Sequence, residues 1–166
     1  MKPNSAEIIC NTSPIQYLHQ LSLLHLLPAL VGKVIVPTAV LAEIEIGREN
    51  AVDLPDLSTL DWIEIRQAKT SSVLSLTVDL GIGETEVLAV ALESKDAIVI
   101  LDDLLARHEA EKLRIKTIGT PGILLEAKRK GLISEISPVL DKLEKLRFWV
   151  SPKTKQAVLK LAGEKL

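Results

Sequence analysis

GIGETEVLAVALESKDAIVILDDLLARH, residues 81–108, decides how this chain is read. Val87, Leu88, Ala91 and Leu92 recur at i, i+1, i+4 and i+5, which predicts a helix over 84–94. Lys95-Asp96 turn the chain, and 97–101 is a five-residue apolar run of the kind a strand buried on both faces needs. Asp102 and Asp103 follow at the carboxyl end of that strand, where open α/β sheets place their ligands. Glu84 opens the helix after Gly81-Ile82-Gly83, glycines that permit a sharp backbone bend. Acids therefore mark both ends of one helix–strand unit.

The same alternation extends outward. Short apolar runs predict strands at 7–10, 33–36, 62–65 and 115–118. Helical patterns lie between them at 15–19, 21–30, 37–47, 72–79, 104–112 and 123–130. Two more, at about 135–147 and 152–162, come after the last strand. Strands alternating with helices imply an α/β fold with a mainly parallel sheet and helices on both faces. The expected organisation is a domain over 1–133 and a C-terminal helical extension over 134–166, packed on that domain or on a partner subunit. Ser13 reads as a helix N-cap with Pro14 at the first helical position, Gly47 and Gly131 as helix ends, and 119–122 as a turn.

With 166 residues, 47% of them hydrophobic, the chain has enough apolar surface for one real core. Its four aromatics, Tyr17, Trp62, Phe148 and Trp149, make that core aliphatic and argue against a site built on aromatic stacking. The lone Cys10 lies in an apolar run and reads as a small buried hydrophobe. The opening MKPNSAE is polar, and the most apolar region is broken by His25, Pro28, Gly32 and Lys33. A cytoplasmic protein without a membrane span is expected. Net charge is −9 over residues 1–103 and +7 over 104–166. Such an asymmetry is either a pair of solvated faces or a carboxylate pocket beside a flank that could hold a polyanion.

The candidate chemistry lies in the acids. One aspartate suffices to cap the helix at Leu104, yet Asp102 and Asp103 are two, and adjacent carboxylates repel. Glu43 falls on the margin of the helix face carrying Val40 and Ile44, where an unpaired carboxylate is costly. Glu45 and Glu86 read as solvated and as favoured by the helix dipole, respectively. Asn11 follows the first strand at the sheet end that also carries Asp102, and Ser13 is beside it. If the first and fourth strands are parallel neighbours, Asn11, Glu43, Glu84, Asp102 and Asp103 converge on one edge. A cluster of oxygen donors without His or Cys suits Mg²⁺ or Mn²⁺ and phosphoryl-transfer chemistry. His19, His25 and His108 have no partner at metal spacing, and no nucleophile elbow, Walker loop or dinucleotide fingerprint occurs. An aspartate-phosphorylated receiver would need acids directly after the first strand, where Asn11-Thr12-Ser13 stands.

The segments I-I-C-N-T-S-P-I at 8–15, P-T-A-V-L-A-E at 37–43, G-I-G-E-T-E at 81–86 and I-L-D-D-L-L-A-R at 100–107 carry a resemblance. In their order and spacing over residues 7–133, the chain resembles the PIN-domain ribonucleases, the VapC-like toxin half of many bacterial and archaeal toxin–antitoxin pairs. The resemblance implies a three-layer α/β/α fold and RNA cleavage dependent on Mg²⁺ or Mn²⁺. It places the family's acids on position 11, Glu43, Glu84 and the Asp102-Asp103 pair, with Asp103 the better match by spacing, and its small hydroxyl residue on Ser13. The departure is Asn11, where a typical member has aspartate; a subgroup carries this Asn-Thr-Ser-Pro form. An antitoxin partner and a homodimer follow from the resemblance, and Val139, Leu140, Leu143 and Leu146 give the late helix a stripe that suits a second subunit or its own domain equally. The alternative is a catalytically weakened PIN module that binds RNA or a protein partner without cutting.

Overall fold

A computed structural model describes residues 6–70 and 80–165; the helix expected near 72–79 lies outside the described residues. Five strands run β1 (Glu7–Cys10), β2 (Val34–Pro37), β3 (Ile63–Arg66), β4 (Ala97–Ile100) and β5 (Lys116–Ile118). They form one sheet in the order β3-β2-β1-β4-β5, every pairing parallel. The central strands are the apolar ones: β2 is buried throughout, and Ile9, Cys10, Val99 and Ile100 are fully buried. The alternating, charged sequences of β3 and β5 occupy the edges.

Eight helices are described: α1 (Thr12–Gln20), α2 (Leu26–Val31), α3 (Thr38–Glu49), α4 (Ile82–Glu93), α5 (Leu104–Lys112), α6 (Thr120–Arg129), α7 (Ser137–Lys145) and α8 (Pro152–Leu161). Helices α1, α3 and α4 pack together, as do α2, α6 and α8, which gives the three α/β/α layers. Because α4 packs against both the sheet and the neighbouring α3, Val87 to Ala91 are all buried, and the one-sided pattern expected there is replaced by burial all round. Leu92, assigned to the inner face from spacing, is 44% exposed.

Several local expectations are corrected. Asn11 is the N-cap residue of α1, so Ser13 lies inside the helix and does not cap it. Gly47 lies in the last turn of α3, which continues to Glu49 with Asn50 as its C-cap, and its missing Cβ leaves room for the Leu54 side chain. Thr120 to Gly122 form the first turn of α6 rather than a loop. Neither Gly81 (φ −64°) nor the helical Gly83 uses a conformation denied to other residues. Gly83 is required for space, because the Glu43 carboxylate occupies the place of a Cβ there.

The C-terminal helices share the single core: Ile136, Leu140 and Leu143 are fully buried in it, with Val158 and Leu159 alongside. Glu164 fastens them, accepting hydrogen bonds from the Ile136 and Ser137 amides at 2.7 and 2.9 Å and from Lys128 at 2.9 Å. The apolar stripe of α7 is thus spent on its own chain.

Arg66 at the end of β3 reaches across β2 to Glu7 of β1, through two hydrogen bonds of 3.0 and 2.8 Å, and also holds Glu64. The Arg66 hydrogen bonds hold the Glu7 carboxyl below its ordinary value of 4.5, and Lys33, with Arg66, does the same for Glu64. Carboxylates with lowered folded-state values add stability above pH 4.5, and that stability disappears as the pH falls through them. Arg66→Ala is therefore expected to lower the unfolding free energy by about 1 kcal/mol at pH 7, half-exposure limiting the effect, and by almost nothing near pH 3. Urea unfolding at the two pH values checks this; equal losses at both would contradict it.

Candidate active site

The strand order reverses direction between β1 and β4: the chain builds β2 and β3 on one side of β1, then returns to place β4 and β5 on the other. At such a switch point the loops leaving two adjacent strands diverge and open a crevice at their carboxyl ends. In this chain the register pairs Cys10 with Ile100, and the Asn11 amide donates to the Ile100 carbonyl at 3.1 Å. The residues that follow β1 and β4 are therefore side by side, although about ninety positions separate them in sequence. A pocket of about 410 Å³ opens there, and Asn11, Ser13, Glu43, Glu84, Asp102 and Asp103 all line it.

Each side chain is placed by its own element. Asn11 is 4% exposed, and its Oδ1 is buried without a hydrogen-bond partner among the described residues. A buried amide oxygen left unpaired costs on the order of 1–3 kcal/mol, so this atom calls for a donor or a cation. Glu43 projects from α3 past Gly83 of α4, and one of its oxygens accepts from Thr12 Oγ1 at 2.7 Å. Glu43 is an exposed residue lying on the pocket rather than at the margin of the core, which corrects the burial expected for it. Glu84, in the first turn of α4, folds its carboxylate back over Gly81, where the helix dipole favours negative charge.

The two adjacent aspartates divide their work. Asp103 is the N-cap of α5, accepting from the Ala106 amide at 2.9 Å through Oδ2. Asp102 turns toward the start of α6, where the Thr120 amide and hydroxyl donate to its two oxygens at 2.7 and 2.6 Å. Burial pushes the Asp102 carboxyl up from its ordinary value, against the Thr120 hydrogen bonds and the nearby Arg107 charge, which pull it down. Gly119 permits this crowding: a Cβ there would lie 2.8 Å from Arg107 Nη1 and 3.0 Å from Asp102 Oδ1. Burial, with the Asp102 charge second, also pushes the Cys10 thiol well up, so it remains an inert core group.

Two acids read as surface features have other places. Glu86 accepts from Thr38 Oγ1 and the Ala39 amide at the start of α3, and from the Ala68 amide. It ties α4 to α3 and takes no part in the pocket. Glu45 is exposed, as expected, on a separate groove of α3. The residues that sequence reading missed are Thr12 and Thr120, which hold Glu43 and Asp102. Their signal is weak, since a threonine at a helix start has many ordinary reasons to be there.

A PIN-domain family model matches residues 7–164. The chain belongs to the PIN-domain family. No curated protein matches it. PIN domains are in general nucleases that use divalent metals, and the all-parallel five-stranded sheet with helices on both faces is the fold expected of one. The hard-oxygen donor set, with the unpaired Asn11 Oδ1 among its members, fits a divalent cation in chemistry. As the side chains stand, no three His, Cys, Asp or Glu among the described residues are grouped closely enough to hold one. The reason lies in the hydrogen bonds just given, which draw Glu43, Asp102 and Asp103 each toward its own partner. No helix among the described residues is long and apolar enough to cross a membrane.

Proposed function

We propose that this PIN-domain protein is an endoribonuclease dependent on Mg²⁺ or Mn²⁺, the toxin component of a type II toxin–antitoxin pair, which hydrolyses RNA phosphodiester bonds. The observation that carries this reading is the unpaired Asn11 Oδ1 in the same pocket wall as four carboxylates. In a folded chain, such a concentration of like charge is held together at a cost unless a cation or a substrate group makes use of it. Glu43, Glu84 and Asp103 would hold the cation, with Asp102 and Asn11 assisting and Ser13 placed to position a water. When bound, the metal supplies charge for the attacking water and for the leaving oxygen. Thr120 holds Asp102 on the pocket wall, and Thr12 holds Glu43.

The flank that would receive the RNA backbone is basic. On the side of Asp102 where Arg107 lies, a groove of about 730 Å³ lined from α5, β5 and α8 includes Arg107, His108, Arg114 and Lys116, with Glu111 as its acid. Lys112, Lys128 and Arg129 spend their charge on Glu109, Glu164 and Glu126, whereas Arg114 and Lys116 have no carboxylate within ion-pair distance among the described residues. These cations support a backbone-binding role for this groove.

The test is cleavage of a structured RNA by the purified chain with added Mn²⁺ or Mg²⁺ and with EDTA. Cleavage that requires the metal is expected; cleavage that persists in EDTA would overturn the reading. A chain that binds RNA in Mn²⁺ and leaves it whole belongs instead to the binding-module class, the reading that Asn11 favours by removing one charge from the donor set. Physiologically, a co-encoded antitoxin and a homodimer belong to the same proposal.

A further inference from the structure

Three of the chain's four aromatic residues gather at one place, the rim of the carboxylate pocket, where Tyr17, Phe148 and Trp149 join Arg147 in lining it. The small number of aromatics argues against a site built on stacking, yet three of the four share this rim. Scarcity in the whole chain says nothing about local concentration.

The three rings do different things. Tyr17 and Phe148 meet edge to face, with centroids 4.9 Å apart and planes at 76°, and both pack partly buried against the core. Trp149, by contrast, is 72% exposed, so most of its surface is left uncovered by the chain. It is kept there by the end of α7. The Arg147 amide donates to Glu144 O and the Phe148 amide to Leu143 O, both at 3.0 Å, closing a Schellman motif with Arg147 at φ +67°. Positive φ is also taken by Gly32, Gly131 and Gly163 and by Ser22, Ala51 and Arg114, so the conformation alone does not set Arg147 apart. What does is its place, with its guanidinium side chain on the lining of the pocket.

A flat exposed indole, a guanidinium and a metal-suited carboxylate wall around one pocket fit one kind of ligand group: an unpaired nucleobase with its phosphate. We infer that Trp149 stacks a nucleobase next to the phosphate presented to Glu43, Glu84 and Asp103, while Arg147 binds a neighbouring phosphate. The chain then selects looped or single-stranded nucleic acid over duplex, since a paired base cannot reach the indole face. The inference rests on the nuclease reading for its substrate, but its test needs no cleavage.

The experiment uses the full chain carrying Trp62→Phe, so that Trp149 is the sole tryptophan, titrated in EDTA with an eight-nucleotide single-stranded RNA and with a duplex of equal length. Single-stranded RNA is expected to quench Trp149 fluorescence and to bind about tenfold more tightly than the duplex. By anisotropy of labelled RNA in an otherwise unaltered chain, Trp149→Ala is expected to weaken binding about tenfold or more, and Trp149→Tyr to restore most of it, as stacking of one base predicts. Arg147→Gly, which suits the turn, is expected to reduce the slope of log affinity against log salt by about 0.7. RNA that binds while Trp149 emission and the Trp149→Ala affinity stay unchanged would overturn the inference and leave the nuclease reading intact. Emission that depends on protein concentration without RNA would overturn it too, because a second copy would then cover the indole. Failure to bind any RNA both in EDTA and with Mn²⁺ would remove both.

Discussion

Asp103→Asn is expected to reduce metal-dependent RNA cleavage at least about a hundredfold while leaving the fold in place. Asp103 has two functions that this substitution separates. Its Oδ2 caps α5 by accepting from Ala106 N, a task asparagine performs about as well as aspartate. Its charge is what a cation in the pocket would use, and asparagine removes it. A hundredfold loss corresponds to about 2.7 kcal/mol of transition-state stabilisation, a modest demand on one charged ligand of a metal. Asp103→Ala serves as the comparison: it removes the charge and the cap together, so thermal unfolding should register an additional loss of about 1 kcal/mol. Cleavage at the wild-type rate by a folded Asp103→Asn chain would exclude Asp103 from the metal.

The second large effect is expected at Asn11 and changes sign with the metal. Asn11 is 4% exposed, its Oδ1 has no partner, and Asp102, itself largely buried, lies across the β1–β4 junction. Asn11→Asp places a further carboxylate in this environment. In EDTA the uncompensated buried charge should cost about 3 kcal/mol of stability. With Mn²⁺ the same charge becomes a ligand, and the melting temperature of the variant should rise much more than that of the wild type. Differential scanning calorimetry of both chains, with and without metal, makes the comparison. A variant destabilised equally in both conditions would show that position 11 does not contribute to a cation site. The cleavage assay adds a second reading: activity gained by Asn11→Asp from an undetectable baseline would make the native chain a binder.

These two positions also show what kind of information each level of description carries. The helix–strand unit of residues 81–108 was legible because its cues are local: helical spacing in Val87 to Ala91, a turn at Lys95-Asp96, and a run of apolar residues long enough for a buried strand. The boundaries of α4, β4 and α5 fall within two residues of those the pattern predicts. Parallel pairing followed from alternation, and the convergence of the acids was conditional on β1 and β4 being neighbours, which the sheet shows. Misreadings occurred where one local cue had two uses. Gly47 resembled a helix end because glycine ends helices, yet a glycine is also required where Leu54 must fit against α3. Gly81 and Gly83 suggested a bend, whereas the demand comes from the Glu43 carboxylate approaching from another helix. Ser13 is a good cap by type, but the chain enters α1 two residues earlier, directly off β1.

By itself, then, the sequence determined which residue types were available: hard oxygen donors at the ends of strands, an aliphatic core, and a positive C-terminal third. These are properties of composition and of short-range periodicity, which chain order encodes directly. Only the tertiary structure decided how each donor is held, because hydrogen bonds such as Thr120 to Asp102, Thr12 to Glu43 and Ser94 to Glu7 join residues 18 to 87 positions apart. The gathering of Tyr17, Phe148 and Trp149 at one rim is of the same kind. Phe148 and Trp149 lie 131 and 132 positions from Tyr17, and it is the order of strands in the sheet and the turn at Arg147 that bring them to the edge where Asn11 meets Asp102.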